Sequence, residues 1–526
     1  MKEKKVLFQI DRIDNGSRSK NEVTESDSIS ATQSIWESTA SSKVSFTRKP
    51  EELPSKTQVL VIGGGMAGVL TAYRLHQRGI QAIVIERGEI GRTCTANTTA
   101  KITSLHGAVY QKIAKAYGDE KAKKYYDIQQ KSIEDYKEII QACNISCDFE
   151  LKSHIMFATK DEEKLRKEFD CLKQLDIPAE WVEHSPLPFS ILGGIVFRNQ
   201  AQFHPLRFLD QVIEKLQVYT NCQATRIDSD GTVEVNHSYQ VKADSVVIAT
   251  HFPIINSKGF YFTKLSQDRS YALALKQTNG FDIHDMYIDM EEQGHSFRPY
   301  QNYLIMVLGN HRSGKKKVPS YYKQLEGEAL KWFPNATVEY HWSNQDCMSL
   351  DHIPYIGQYS KTLPNFYVAT GFNQWGMSNS MTAANVISEL IASGASEYAD
   401  VFSPNRNQVS GAGAFLTNGA ISVVHLTKQL LHIKEDELKQ IKKGEAGIIK
   451  SEGNTIGAYK DMSGELHMVD TKCPHLGCQL QWNPNEKTWD CPCHGSRFDY
   501  EGHLIEDPAQ KDLNKACCLN KDRGEK

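Results

Sequence analysis

Apolar residues along the 526-residue chain change rhythm several times, and each rhythm predicts an element. Residues 59–62, Val-Leu-Val-Ile, are continuous and mostly β-branched, which suits a strand buried on both faces of a parallel sheet. Helical spacing follows over about 66–77, and a second short apolar run at 82–85 predicts the next strand. Long charged helical patterns occupy about 109–142, and 149–181 reads as a strand followed by a helix. Phe203-His204-Pro205 opens another helix, with proline near its first turn. Residues 223–250 form a run of short strands ending in Ser245-Val246-Val247-Ile248-Ala249-Thr250. From 260 to 345, strand-like segments at 271–275 and 303–308 accompany one amphipathic helix near 322–332, the pattern of a mostly antiparallel, substrate-side sheet. Residues 366–371 repeat strand then glycine, and 381–392 reads as a helix.

The turn between the first strand and its helix carries Gly63, Gly65 and Gly68 in the order G-x-G-x-x-G. The first glycine allows the tight turn, the second lets a pyrophosphate approach the backbone, and the third lets helix and strand pack closely. The helix then aims unpaired N–H groups at the phosphates. Glu86, eighteen residues past Gly68 at the end of the second strand, is placed to accept from a ribose hydroxyl. Together these predict a dinucleotide site at the head of an α/β, Rossmann-like domain. The Gly/Thr-rich segment 88–99 follows; it either passes beside the ligand's ring system or serves only as a turn. A nicotinamide-dependent flavoreductase would carry a second fingerprint, but Gly411-Ala412-Gly413 has no strand before it and no third glycine.

Length allows two to four domains. With 61 basic and 64 acidic side chains the net charge of -3 gives no electrostatic reason to expect nucleic acid or an anionic membrane as partner. No apolar run approaches the ~18 residues of a membrane span, and the N-terminus lacks the apolar core of a secretory signal, so a cytoplasmic protein without a transmembrane segment is expected. Residues 1–33 hold six basic and six acidic side chains among many polar ones and read as a disordered extension. Residues 403–413, with Pro404, read as a linker. The expected organisation is therefore a two-part body at 34–402, the linker, a further domain at 414–513 and a tail at 514–526.

Six of the twelve cysteines fall after residue 470, which points to a local site rather than a disulfide framework. Cys473-Pro474-His475-Leu476-Gly477-Cys478 is answered by Cys491-Pro492-Cys493-His494-Gly495-Ser496. Two thiolates and two imidazoles could hold zinc, but each half contributes one Cys and one His, which suits a [2Fe–2S] cluster with two Cys on one iron and two His on the other. Cys478 and Cys493 occupy matching positions in the two segments; we expect a disulfide between them, the alternative being two free buried thiols.

The C-terminal region resembles the Rieske domain of the cytochrome bc type over roughly 415–513. On that resemblance Cys473 and Cys491 match the thiolate ligands, His475 and His494 the imidazole ligands, and Cys478 with Cys493 the paired disulfide. Rieske oxygenases lack that extra pair and need a mononuclear iron site, and no two histidines here stand at the His-x-x-x-x-His spacing usual there. High-potential respiratory members continue the second loop as His-Gly-Ser-x-Tyr; this chain keeps Ser496 but has Phe498 at the tyrosine position, with Tyr500 two residues on. One donor to sulfur is missing, which implies a potential in the lower or middle part of the Rieske range of about -150 to +300 mV.

With the glycine fingerprint, Ala249-Thr250-His251 and Ala369-Thr370-Gly371-Phe372-Asn373-Gln374-Trp375-Gly376-Met377, the body resembles the D-amino-acid oxidase family of FAD-dependent oxidoreductases. The whole chain resembles a bacterial subfamily in which that body is fused to a Rieske domain; Thr98-Thr99-Ala100-Lys101-Ile102-Thr103, the stretch from Asn199 through Pro205, and Trp342-Ser343-Asn344-Gln345-Asp346 support it. The likeness implies a Rossmann-like FAD-binding domain with an antiparallel-sheet substrate domain, an all-β Rieske domain, one FAD and one [2Fe–2S] cluster. It implies oxidation of a small amine, amino acid or related organic acid, with electrons passed singly to the cluster and on to a one-electron partner. Arg298 is a candidate anchor for a substrate carboxylate, against the reading of a surface or ion-paired arginine. His106 could lie near the flavin, against that of a hydrogen-bonded structural histidine. A redox sensor without turnover, and a reductase fed inward from the Rieske domain, remain alternatives.

Overall fold

The computed structural model describes residues 5–9, 33–40, 46–256, 258–291, 294–315, 320–406, 441–451 and 454–515. The chain divides into two compact units. One gathers the described residues up to 406 except 266–268 and 311–321; the other takes those two segments with the C-terminal residues.

In the first unit the apolar run forms β1 (Lys56–Ile62), which leads through the glycine turn into α1 (Met66–Gln77) and β2 (Ala82–Ile85). Four residues of β1 in a row, Val59 to Ile62, are buried, as a strand covered on both faces requires. Chain order continues with β3 (Lys101–Ile102), β4 (Glu150–Ala158), β5 (Gly193–Gln202), β6 (Tyr239–Ile248), β7 (Met286–Asp289), β8 (Ser296–Tyr300), β9 (Leu363–Thr370) and α2 (Gly376–Ser393). β1 runs parallel between β2 and β6, with Val59 opposite Ala82 on one side and Ser245 on the other. The nine-stranded sheet runs Val6–Gln9, Ala224–Asp228, Thr232–Val235, β6, β1, β2, Gln217–Tyr219, with β9 parallel on β6 and Tyr355–Ser360 antiparallel on β9. This is the expected Rossmann-like layer, with α1 and α2 packed together against it.

The second sheet runs Thr337–Ser349, Leu265–Lys276, Tyr303–Arg312, β8, β7, β4, β5, β3, with Glu180–Val182 on β5. β8 pairs antiparallel with β7 and with Tyr303–Arg312, and β5 antiparallel with β4 and β3, but β7 runs parallel to β4. The expectation placed this sheet in 260–345; in fact β3, β4 and β5 come from earlier in the chain, because local alternation marks strands without naming their partners.

Three boundaries need correction. The extension expected at 1–33 contains the strand Val6–Gln9, paired antiparallel with Ala224–Asp228, while 1–4 and 10–32 lie outside the described residues. The helix expected from 381 begins at Gly376, because Ser378, Asn379 and Ser380 look like surface residues in the sequence yet are buried. The linker expected from 403 begins later: Arg406 is 4 % exposed and ion-paired with fully buried Asp351 at 2.7 Å. The remainder of that linker lies outside the described residues.

The C-terminal part of the second unit is all β among its described residues. Ala446–Ser451, Asn454–Lys460 and Leu466–Asp470 form one antiparallel sheet; Gln481–Asn483, Thr488–Asp490, Arg497–Asp499 and Leu504–Glu506 form another. Its buried cluster has ten members, and four are Cys473, Cys478, Cys491 and Cys493. Arg497, beneath the second cysteine loop, is ion-paired with Asp490, Glu486 and Glu506.

Candidate functional site

The glycines of the β1–α1 turn do three different things. Gly63 sits at φ 113°, and a Cβ there would lie 2.4 Å from the Ala249 carbonyl oxygen, so β6 presses on the turn from the next strand. A Cβ on Gly68 would lie 2.0 Å from the Gly63 oxygen, which ties helix to turn. Above Gly65, by contrast, the nearest atom to such a Cβ is Thr95 Oγ1 at 3.6 Å, leaving open space at the N-terminus of α1. That is the cradle a pyrophosphate would fill. Glu86 stands at the end of β2, where its carboxylate accepts from the N–H of Gly64 (2.8 Å) and of Gly88 (2.9 Å). Each oxygen keeps a second lone pair for a ribose hydroxyl.

From this turn the chain passes along the loop that the sequence left open between ligand contact and simple turn. Thr95 Oγ1 accepts from Met66 N–H at the head of α1 (3.1 Å). Three successive carbonyls are then each held by a buried side chain: Trp342 Nε1 donates to Asn97 O (3.0 Å), Trp36 Nε1 to Thr98 O (2.6 Å) and Arg298 Nη1 to Thr99 O (2.6 Å). Ala100 turns through φ 55°, and Lys101 enters β3. The loop is fixed residue by residue.

Arg298 is therefore not the substrate anchor expected from the sequence. Its guanidinium is fully buried; besides Thr99 O it donates to Phe203 O (2.7 Å) and Gln202 Oε1 (3.1 Å), and it stacks on Trp36 at 4.7 Å. It does not line the cavity that the loop borders. An arginine on a sheet strand signalled an anion site, but all three of its nitrogens serve the fold.

That cavity is lined on one side by Asn97, Thr98, Thr99 and Lys101, and on others by β7, β8, Trp342 and Trp375. Trp375 caps α2 without a side-chain bond, and its indole stacks on His106 at 4.9 Å. His106 is structural: its nitrogens meet Tyr125 Oη, Thr103 O and Ser378 Oγ at 2.7–2.9 Å, and burial pushes it down to about 3. The charged lining comprises Lys101, Asp289, Glu291 and Asp346. Lys101 is a cavity residue the sequence reading did not single out. It is 6 % exposed, donates from Nζ to Tyr287 O (2.8 Å) and to Ser296 Oγ, and is pushed down to about 7, chiefly by burial and then by Arg298. A lysine reads as surface in sequence; its place between two threonine-rich, apolar segments was the available signal.

In the second unit the segments 471–480 and 491–496 bring Cys473, His475, Cys491 and His494 together. The two imidazoles are 4.9 Å apart at 87°, and Cys473 and Cys491 hydrogen-bond each other, Cys473 pushed down and Cys491 up by that shared proton. Burial lowers His475 to about 4, which keeps its imidazole neutral at ordinary pH, the form that ligates a metal. Two thiols and two imidazoles gathered in one place fit the donor set of a [2Fe–2S] cluster. Cys478 and Cys493 form the expected disulfide, with Cα atoms 6.5 Å apart. Ser496 Oγ accepts from Ala509 N–H (2.9 Å) and bonds the Cys473 sulfur. Phe498 is buried among the cysteines, opposite Trp489, whereas Tyr500 turns away to Tyr459 and His467.

A Rossmann-like body with a pyrophosphate cradle, joined to an all-β unit with two Cys and two His, defines an oxidoreductase with a flavin and an iron–sulfur cluster. The family model of the FAD dependent oxidoreductases (DAO) matches residues 58–390, and that of the Rieske [2Fe-2S] domain matches 432–516. The chain belongs to the DAO family of FAD-dependent oxidoreductases and carries a C-terminal Rieske domain, so its cofactors are FAD and one [2Fe–2S] cluster. YhfW of Bacillus subtilis (strain 168), named for a Rieske 2Fe-2S iron–sulfur centre, is 32 % identical over 500 residues, covering 92 % of this chain and 97 % of that protein. The fold of L-proline dehydrogenase from P. horikoshii is similar, at TM-score 0.56 and 19 % identity over 67 % of this chain and 98 % of that one. Glycine oxidase from Geobacillus kaustophilus superposes at TM-score 0.58 and 14 % identity, over 67 % of this chain and all of that one (100 %). Among the described residues no helix is long and apolar enough to cross a membrane.

Proposed function

We propose that the protein is a dehydrogenase that oxidises a small amine or α-amino acid in the body and passes the electrons singly to its Rieske cluster. The observation that carries this reading is the pinned loop from Thr95 to Lys101: one rigid segment joins the head of α1 to a cavity lined by Lys101, Asp289, Glu291 and Asp346. Three acids at the cavity favour a cationic amine. The fold is shared with proteins named for proline and glycine, which makes amino acids the first substrates to try.

Bound FAD supplies a two-electron acceptor that can release electrons one at a time, and the cluster supplies a one-electron carrier. In this reading the open face of Gly65 admits the pyrophosphate and Glu86 takes the ribose. Trp375, held flat by His106, walls the cavity, and the Asn97–Thr99 backbone positions the substrate without having to reorganise. Cys473, His475, Cys491 and His494 hold the cluster, with the Cys478–Cys493 disulfide tying the two loops together. An unidentified one-electron acceptor takes the electrons onward.

The test is anaerobic mixing of the purified holoprotein with L-proline, glycine and a panel of small amines, following flavin absorbance. Bleaching by one of them supports the reading. A flavin that none bleaches, but that a reduced Rieske partner does bleach, reverses the direction of flow.

A further inference from the structure

The Lys101 amine has an unusual balance of partners. Nζ gives one N–H to Tyr287 O on β7 and one to Ser296 Oγ on β8, while the Ser296 hydroxyl donates in turn to Tyr287 O (3.2 Å). An uncharged lysine has two N–H groups and one lone pair, so these two acceptors satisfy it completely and leave only the lone pair. Ser296, Ile288 and Asp289 line the same cavity as Lys101, which places that nitrogen at its wall. The protonated form would have a third N–H to place in a 6 % exposed position beside the Arg298 guanidinium.

We infer that Lys101 is the proton acceptor of the amine oxidation. It is a catalytic residue that takes an N–H proton from a substrate ammonium bound in the cavity. The inference rests on the amine-oxidising reading above. The substrate N–H bond breaks and a new N–H bond forms at Nζ; the freed nitrogen lone pair then becomes the C=N bond as the adjacent C–H electron pair departs as hydride to the enzyme's two-electron oxidant. Lys101 ends as an ammonium and returns its proton to solvent after the imine leaves. An ammonium cannot release that hydride, because its nitrogen has no electron pair to give.

The surroundings keep the lysine basic while leaving a large share of it unprotonated near neutrality. Burial lowers it to about 7, and Arg298 on β8 adds to this. His154 on β4 lies within electrostatic reach of Lys101 and of His106, and burial holds both imidazoles neutral. From β5 the opposite residue is Gln202, and from β7 comes Asp289, itself raised by burial and bonded to Glu291 N–H. A base poised near the working pH is the most effective kind. The acids of the lining would draw the cationic amine in, and Lys101 would discharge it.

Two measurements on the holoprotein test this. In the first, trace acetic anhydride is added at a series of pH values and acetylation of Lys101 is read by mass spectrometry. The expected midpoint is about 7, against about 10.4 for ordinary lysines. A midpoint above 9, or no labelling of Lys101 at any pH, would overturn the proposal without using a substrate or a variant. In the second, anaerobic flavin bleaching by L-proline or glycine is compared in wild type and Lys101→Met. A loss of at least about 100-fold is expected, with disappearance of the acid limb of the pH profile and partial rescue by imidazole, a base that is not itself oxidised. Retention of rate and acid limb in the variant would overturn the role. If Lys101 labels with a midpoint near 7 but no amine bleaches wild type, the amine-oxidising reading fails, and this role with it, for a reason distinct from the lysine's basicity.

Discussion

Around the glycine turn and the cavity, the body holds its groups with backbone carbonyls and buried rings: Trp342, Trp36 and Arg298 each take one carbonyl of the 97–99 loop. In the iron–sulfur unit the corresponding material is the site itself, since four of the ten buried members of its core are the cysteines of the two loops. The body's core comprises three extended apolar clusters, none of them built from cofactor ligands. Small units with so little apolar core depend on metals and disulfides for stability. The difference teaches where each cofactor belongs energetically: FAD is a guest in a preformed cradle, the cluster a part of the fold.

The largest test of that contrast removes each cofactor separately. Gly65→Val places a side chain in the open space of the cradle, where among the described residues Thr95 Oγ1, at 3.6 Å, is the one atom within 4 Å of its Cβ. The variant should fold, lose FAD and keep its iron signal. Cys491→Ala should lose the cluster and leave the flavin spectrum intact, and limited proteolysis should now cut the C-terminal unit first, because its core has lost its metal. Loss of both cofactors in either variant would break the comparison.

A smaller effect concerns the body's edge. Burial alone would raise the Asp351 carboxyl, but Arg406 and Tyr117 hold it below the usual carboxylate value. Removing one partner of so buried a pair costs about 3–5 kcal/mol. Arg406→Ala should lower the melting temperature of the body while leaving the cluster's absorbance unchanged at low temperature. Since the native carboxyl is more acidic than the unfolded one, this stabilisation is complete above the unfolded value of about 3.9 and disappears as pH falls through the lower native value. Thermal melts from about pH 5 to pH 2.5 should show an acid-dependent loss in wild type that Asp351→Asn lacks.

Cys478→Ser should cost the iron–sulfur unit about 2–4 kcal/mol by freeing the two loops, with no effect on flavin content. Chemical denaturation followed at the cluster absorbance and at the flavin would show only the former midpoint moving.

The smallest change is electronic. Phe498 is buried in the cysteine cluster, so Phe498→Tyr brings a hydroxyl into it. One added hydrogen bond of about 1 kcal/mol corresponds to roughly 40 mV for a one-electron couple. Redox titration should show a rise of about that size; an unchanged or lower potential would show that the ring edge does not face the sulfurs.

Much of this was legible in sequence wherever chemistry is written in spacing. Gly63, Gly65 and Gly68 between two apolar runs located the cradle, and the Cys-x-His and Cys-x-x-His halves located the second centre with its disulfide. What was not legible depends on the third dimension. Arg298 and Lys101 are both basic residues near substrate strands, and sequence offers no sign that one is enclosed by carbonyls while the other borders a cavity. Val6–Gln9 escaped because a four-residue strand in a polar tract has too short a period to register. The start of α2 escaped because Ser378 and Asn379 meet buried polar partners, His106 and Gln129, that lie 250 or more residues away.

The central claim is that electrons from an amine enter at the flavin and leave through the cluster. The most direct measurement is rapid anaerobic mixing of wild type and Cys491→Ala with the amine that bleaches the flavin, followed by absorbance and by electron paramagnetic resonance of the reduced cluster. The account predicts that flavin bleaching precedes the cluster signal in wild type, and that the variant bleaches at the same rate with no cluster signal. A cluster that is reduced while the flavin stays oxidised, or one that remains oxidised after the flavin is fully bleached, would contradict it.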